Sequence, residues 1–223
     1  MKSMESKSKA PAGSLTSQAI KKINELLSSG RLISGQKLIE RDLCELLKMG
    51  RAPIREALRV LAGDGVIELI PGRGARVREM GAQQIADMLK VIIGLLFVAL
   101  DELPSLRNKE LFKAKLVEQN QRIKKAAQLK DPFALTDALY GYQEHIISSA
   151  ENEYLSHTVK KAQFLFYTRE VIRYINSMQA YATVDLYDEI TQALIMDEFD
   201  VAKSLYAQTR DRLVAYLTDT RDF

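Results

Sequence analysis

The stretch Arg51-Ala-Pro-Ile-Arg-Glu-Ala-Leu-Arg-Val-Leu61 carries two patterns at once. Ile54, Leu58 and Leu61 recur at helical spacing, with Ala57 and Val60 beside them, so one face is apolar. Arg51, Arg55 and Arg59 stand four apart, which lines them up on the surface of the same helix. Pro53 suits the first turn, where its missing N–H has no partner to lose and its φ is already helical. The prediction is a short helix with an apolar face, a basic face and a defined start, of a size the DNA major groove admits. Taken alone, such a helix is more often an ordinary solvated face of arginines. Its flanks have to separate the two readings.

Before it, Ser14 or Thr16 can cap a helix running to about Ser29, with Ile20, Ile23, Leu26 and Leu27 on its core face. Gly30 stops that helix, and Ser34-Gly35 makes a turn before Leu38. A second helix, from about Glu40 to Lys48, is expected to bury Leu43, Leu46 and Leu47, with Met49-Gly50 as the turn into the quoted helix. After it, Gly63-Asp-Gly65 breaks the pattern. Val66–Ile70 and Ala75–Glu79 read as two strands joined by Pro71-Gly-Arg-Gly74. Arg73 lies between two glycines, where backbone can press close to a phosphate or a groove edge. Helix, helix, turn, helix, hairpin is the order of a winged helix-turn-helix, and a basic wing directly after a basic helix favours the groove.

The charge is unevenly placed. The 223 residues carry a formal net charge of +3, but residues 1–80 hold 15 Lys+Arg against 9 Asp+Glu, and residues 81–223 hold 17 against 20. The basic part contains the quoted helix, which points to an anionic partner for that part and another task for the rest. Cys44 is the only cysteine, so neither a disulfide framework nor a thiolate zinc cluster is available. Met1–Gly13, with Lys2, Lys7 and Lys9, reads as a flexible arm and not as a signal peptide. The apolar run Val91–Leu100 is too short to span a bilayer, so a buried helix of a cytoplasmic protein is expected there.

From residue 82 onward the pattern is helical throughout, with helices at roughly 82–104, 107–129, 132–150, 153–179, 182–196 and 198–219. The first is unusually apolar: Met88, Val91, Ile92, Leu95, Leu96 and Ala99 cover more than one face, which predicts a central place in a bundle. Tyr140, Tyr142, Tyr154, Phe164, Phe166, Tyr167 and Tyr174 gather later, and core packing accounts for them better than a ligand cage does. The fold class is mainly α: a winged helix-turn-helix over 14–79 after an arm over 1–13, a linker at 80–82, and an all-helical ligand-binding and dimerisation domain over 83–223.

Several pieces in fixed order make the resemblance specific. Ser34-Gly35…Leu38, Glu45-Leu46, Arg51-Ala-Pro-Ile-Arg-Glu-Ala-Leu58, Gly65-Val-Ile67 and Pro71-Gly-Arg-Gly-Ala-Arg-Val77 together resemble the DNA-binding domain of the GntR family of bacterial transcription regulators. The resemblance implies DNA contacts at Arg41, Arg51, Ala52, Pro53, Arg55, Gly72 and Arg73. Arg51 and Arg55 are the candidates for reading base edges, because a guanidinium can bond guanine O6 and N7 together; Arg41 and Arg73 suit phosphate or the minor groove. Glu56 reads as a scaffold carboxylate paired with an arginine. Gly50 stands where the family commonly has Ser or Thr, and Ala52 replaces a frequent Thr, so two polar contacts at the helix tip are missing.

The helical part resembles the effector domain of the FadR-like branch, called FCD, and six helices suit its VanR-like subgroup. Tyr142 through Asn152, and the segment from Tyr187 through Gln192-Ala193 to Ala202 and Thr209, carry that likeness. Many members hold a metal on three histidines; the matching positions here are Gln143, Tyr187 and Thr209, which are poor ligands for a transition metal. The family's Arg and Glu on the first helix correspond to Ile92 and Leu96. The expected pocket of Ile92, Leu96, Gln143, Tyr187 and Thr209 therefore has no metal or other cofactor. His145 lies two residues from Gln143, on another helix face; with His157 it completes the histidines.

The resemblance implies a homodimer that binds a palindromic operator on double-stranded DNA and answers to a small-molecule effector, most commonly as a repressor. The altered pocket leaves open a less polar effector, or a helical domain without an effector that serves mainly dimerisation, and two rivals come from other classes. A helical enzyme would need a nucleophile with its base, a metal cluster or a phosphate loop, and the sequence offers none. A non-specific architectural DNA binder would use the same basic surface without selecting a sequence.

Overall fold

The computed structural model describes residues 13–70, 74–161, 166–168, 170–171 and 177–219. Contacts divide the chain into two units, Met1–Glu79 and Met80–Phe223. In the first unit, helix α1 (Leu15–Ser28) starts at Ser14, whose hydroxyl accepts from the Ser17 N–H at 3.1 Å. Helix α2 (Glu40–Leu47) ends at Lys48, which takes a left-handed conformation with φ +52°, one residue before the expected turn. The ammonium of Lys22 on α1 donates to the Leu47 carbonyl at 3.2 Å, satisfying one of the open carbonyls at that helix end. Helix α3 (Arg51–Gly63) buries Ile54, Ala57, Leu58 and Leu61 and packs on both earlier helices.

Two expectations for this unit fail. Leu46 is 48% exposed. The buried stripe of α2, which packs against α3, runs through Leu43 and Leu47, one turn apart, and Leu46 lies off it. The wing also has a third strand. Strand β1 (Lys37–Leu38) joins β2 (Ile67–Ile70) and β3 (Gly74–Val77) in an antiparallel sheet of order β1-β3-β2. Leu38 pairs with Ala75 and Ile67 with Val77, so these four apolar side chains form the core face of the sheet. Gly74 has φ +90°, and a Cβ there would stand 3.4 Å from the Leu38 carbonyl oxygen. That conformation and that approach both favour glycine.

The second unit is all helix among its described residues: α4 (Ala82–Glu102), a 3-10 turn (Leu103–Ser105), α5 (Lys109–Gln128), α6 (Pro132–Ser149), α7 (Glu153–Lys161), α8 (Ser177–Ile195) and α9 (Phe199–Thr218), with residues 166–168 and 170–171 also helical. Asn108 caps α5 by accepting from the Leu111 N–H, and Asp131 caps α6 by accepting from Phe133 and Ala134, with Pro132 in the first turn. The break expected between 179 and 182 does not exist, because α8 runs straight through it. Gln179-Ala-Tyr-Ala-Thr183 holds no Gly or Pro to stop a helix.

Helix α4 packs against α6, α7 and α9 and buries Ile85, Ala86, Leu89, Ile92, Ile93, Leu96, Ala99 and Leu100. Its continuation through Ser105 gives 24 residues containing an 18-residue window of mean hydropathy 1.7, long and apolar enough to cross a bilayer, which the shorter run Val91–Leu100 was not. The packing on three helices identifies it as a core helix. Its apolar surface is not wholly covered, however. Val91 and Val98 are exposed, and a Cβ on Gly94 between them would meet nothing within 4 Å. Met88 and Leu95 are only partly buried.

Candidate nucleic-acid interface and helical cavity

The outer face of α3 is set by what its inner face buries. With Ile54, Leu58 and Leu61 turned inward, Arg51, Ala52, Arg55, Glu56 and Arg59 are left exposed and Pro53 partly so. Gly50 is the N-cap and offers no side chain; the first turn is closed by the Ile54 N–H donating to the Gly50 carbonyl at 3.4 Å. The arginines differ in their partners. The Arg51 side chain, at the tip, makes no hydrogen bond or ion pair among the described residues. Arg55 is held by Glu40: its Nε donates to the two carboxylate oxygens at 3.0 and 3.2 Å, and its NH2 to Oε2 at 2.8 Å. The Arg55 hydrogen bond holds the Glu40 carboxyl below the usual carboxylate range, helped by the charges of Arg55, Arg51 and Arg59; Glu40 in turn raises Arg55. Arg59 pairs with Glu56 at 3.5 Å, the scaffold role expected of that carboxylate, and Arg41 on α2 lies 3.3 Å from Asp42. Gly72 and Arg73 fall outside the described residues; beside them, Arg76 on β3 pairs with Glu68 on β2 at 2.7 Å. Arg41, Arg51, Arg55 and Arg59 thus share a unit whose charged groups are exposed, with Arg51 unpaired at the helix start.

In the second unit, Ile92, Gln143, Tyr187 and Thr209 come together around a cavity of about 60 Å³. Leu96, expected with them, is fully buried but lies outside that lining, so the expected set loses one member. A position one turn along α4 from Ile92 meets the neighbouring helices instead. The polar contacts are internal. The Gln143 amide donates to the Tyr187 hydroxyl at 2.7 Å, Tyr142 and Thr191 share a hydrogen bond at 2.9 Å, and Thr191 donates to the Tyr187 carbonyl at 2.6 Å. The Tyr187 ring meets Tyr142 and Tyr206 edge to face at 5.0 and 6.3 Å. Burial pushes all three phenols well above their ordinary pKa, so they are neutral donors at physiological pH.

Among the described residues, two buried polar atoms here lack a partner: Gln143 Oε1 and the Tyr206 hydroxyl. Sequence reading missed Tyr206, although it stands three residues before Thr209 and so shares its helix face; Arg210, also on the lining, was missed too. A three-histidine metal does not fit these residues. The Gln143 amide nitrogen is taken by Tyr187, Thr209 donates its hydroxyl to the Leu205 carbonyl at 2.8 Å, and no carboxylate, thiolate or imidazole stands among the three. His145 faces elsewhere, stacked on Phe112 at 5.0 Å with its Nε2 3.0 Å from the Phe112 carbonyl oxygen. Of the aromatic residues read as core, Tyr142, Phe166 and Tyr167 are buried, but Tyr154 is 86% exposed; Phe164 and Tyr174 lie outside the described residues.

Comparison with known proteins adds to this geometry. Residues 15–77 match the model of the bacterial regulatory proteins of the gntR family. The chain is 44% identical over 63 residues to the Glc operon transcriptional activator of Escherichia coli K12, a match covering 28% of this chain and 25% of that protein. It is 33% identical over 78 residues, 35% of each chain, to the HTH-type transcriptional regulator McbR of the same strain. The solved structure of E. coli McbR/YncC superposes with a TM-score of 0.75 at 22% identity, covering 92% of this chain and 97% of that one. A structure described as a GntR regulator from Rhodococcus sp. RHA1 gives 0.79 at 16% identity, covering 92% and 98%. These two matches in sequence thus reach 25% and 35% of the relatives' length, whereas the two likenesses in fold each cover 92% of this chain. The matched family is one of transcription regulators and not of enzymes.

Proposed function

We propose, on the premise that residues 15–77 are a GntR-family helix-turn-helix domain followed by an all-helical domain, that this chain is a sequence-specific transcription regulator. The observation that carries the reading is the exposed arginine face of α3 beside the wing, in the segment that matches the family model. Arg51 and Arg55 read base edges, Arg41 contacts phosphate or the minor groove, and Ala52 and Pro53 bring the backbone of the helix tip close. Gly72 and Arg73 supply the wing contact. The work is done in the cytoplasm, where the DNA is.

One recognition helix offers less surface than specific binding needs, so the chain acts as a homodimer on a palindrome. The exposed strip of Val91, Gly94 and Val98 on α4 supports pairing with a second copy: it is apolar, and its glycine allows close backbone approach. The second unit is an FCD-type domain of the FadR-like branch, nearest its VanR-like subgroup. Its cavity takes a small-molecule effector without a metal, and occupancy alters the spacing of the two winged domains through the joint at Gly81. Because half-site spacing follows the DNA helical repeat, a small rotation weakens binding. Repression is the sign of regulation that the family resemblance favours.

The test is Arg51→Ala. A base-reading arginine should cost about 1–3 kcal/mol on the preferred site and relax preference at one position. Equal weakening on every sequence would make Arg51 a phosphate contact and remove the assigned role.

A further inference from the structure

Spacing along α3 treats Arg51 and Arg55 alike, but the structure does not. Arg55 is gripped by Glu40, fifteen positions earlier, through three hydrogen bonds of 2.8 to 3.2 Å. Glu40 is the first residue of α2, so its backbone is fixed, and a carboxylate there is favoured by the helix dipole. A guanidinium carries five N–H groups in one rigid plane. Glu40 engages the Nε–H and one NH2 hydrogen, which leaves both NH1 hydrogens and the second NH2 hydrogen on the edge facing away from it. Two parallel N–H groups on one edge are what guanine O6 and N7 accept.

The pair does little for stability, because both side chains are substantially exposed and such ion pairs are weak. It also has a cost for a DNA binder, since a carboxylate among phosphate-facing arginines repels the backbone. Both properties make sense if the pair serves discrimination. We propose that Glu40 is a positioning residue for base readout: it locks the Arg55 guanidinium in one plane with its outer edge presented to the groove, and its charge lowers the attraction of α3 for any phosphate backbone. The inference rests on the reading of Arg55 as a groove residue of a sequence-specific regulator.

The experiment is selection from random-sequence duplexes by the full chain, its Glu40→Gln, Glu40→Asp and Arg55→Ala variants and the Glu40→Gln/Arg55→Ala pair. Affinity for an unselected duplex is measured across a salt series, and each variant is melted. Glu40→Gln should flatten preference about tenfold at the position that Arg55→Ala flattens, within the range of a bidentate base contact. It should also bind unselected DNA several-fold more tightly at low salt. Glu40→Asp keeps the charge but shortens the reach, so it should flatten the same position without that gain. The double variant should be no flatter than Arg55→Ala alone. The proposal is overturned if Glu40→Gln keeps its preference, if it flattens a different position, or if it loses affinity equally on all sequences together with a lower melting temperature, the mark of a mere brace between α2 and α3. Wild-type protein that selects no sequence overturns the regulator reading as well; selection by wild type with preference retained in Glu40→Gln overturns only the role of Glu40.

Discussion

The arginine face of α3 and the tyrosine cluster of the helical unit use polar chemistry in opposite ways. On α3 the polar groups are charged, exposed and weakly tied, apart from the Arg55–Glu40 pair. Around Tyr187 they are neutral, buried and bonded to one another, with the Gln143 carbonyl oxygen and the Tyr206 hydroxyl left over. Exposed charge suits a long polyanion, which is attracted from a distance and released by salt. Buried neutral groups suit a small ligand or water, where each unmatched atom costs free energy and shape decides what fits. The two units therefore suit different partners, as their opposite charge balances already suggested.

The largest expected effect in the helical unit comes from Tyr206→Phe, which removes an unpartnered buried hydroxyl and keeps the ring. Leaving such a group unsatisfied costs about 1–3 kcal/mol, so hydrogen exchange of α6 and α9 amides should slow. Faster exchange would mean that the hydroxyl is already satisfied, and the contrast with α3 would lose its buried side.

A second test uses pH. Burial, acting against the hydrogen bond to the Phe112 carbonyl, lowers the His145 pKa below its ordinary 6.5. The unfolded chain then binds a proton at a higher pH than the folded one does. The stability this contributes is complete above pH 6.5 and is lost as pH falls through the lowered folded value. The helical unit of the wild type should lose stability more steeply below pH 6.5 than that of His145→Gln. Parallel curves would show that the ring is solvated.

The smallest effect is at the tip of α3. Gly50 has an ordinary φ of −69°, and a Cβ there would meet Pro53 Cδ at 3.9 Å, a normal contact. Gly50→Ser should therefore add a cap worth a few tenths of a kcal/mol and tighten DNA binding slightly. A destabilised variant would show that the bare tip is required.

How much was legible follows from the range of the interactions involved. The helix-turn-helix could be read because its signals are local: Pro53 at the start, arginines four apart, glycines at the turns. Strand β1 could not, since Lys37–Leu38 is too short to show an alternation and exists only because β3 runs beside it. The continuity of α8 was legible, since Gln179–Thr183 holds no Gly or Pro to stop a helix, and the break expected there had no local signal behind it. At the candidate sites, a residue type at a family position could be read, but its partner could not. Glu40 reaches Arg55 only because α2 and α3 cross, and the unpartnered state of Tyr206 depends on three helices at once. Leu96 shows the reverse error, a position that matched a pattern and turned into the core.

The central claim is that the first unit reads a sequence and the second brings two copies together on it. Selection of bound sites from random genomic fragments at moderate salt tests that directly. The account predicts enrichment of one inverted repeat, its half-sites spaced near a multiple of the DNA helical turn. Equal retention of all fragments would contradict it, and so would enrichment of a single unrepeated half-site.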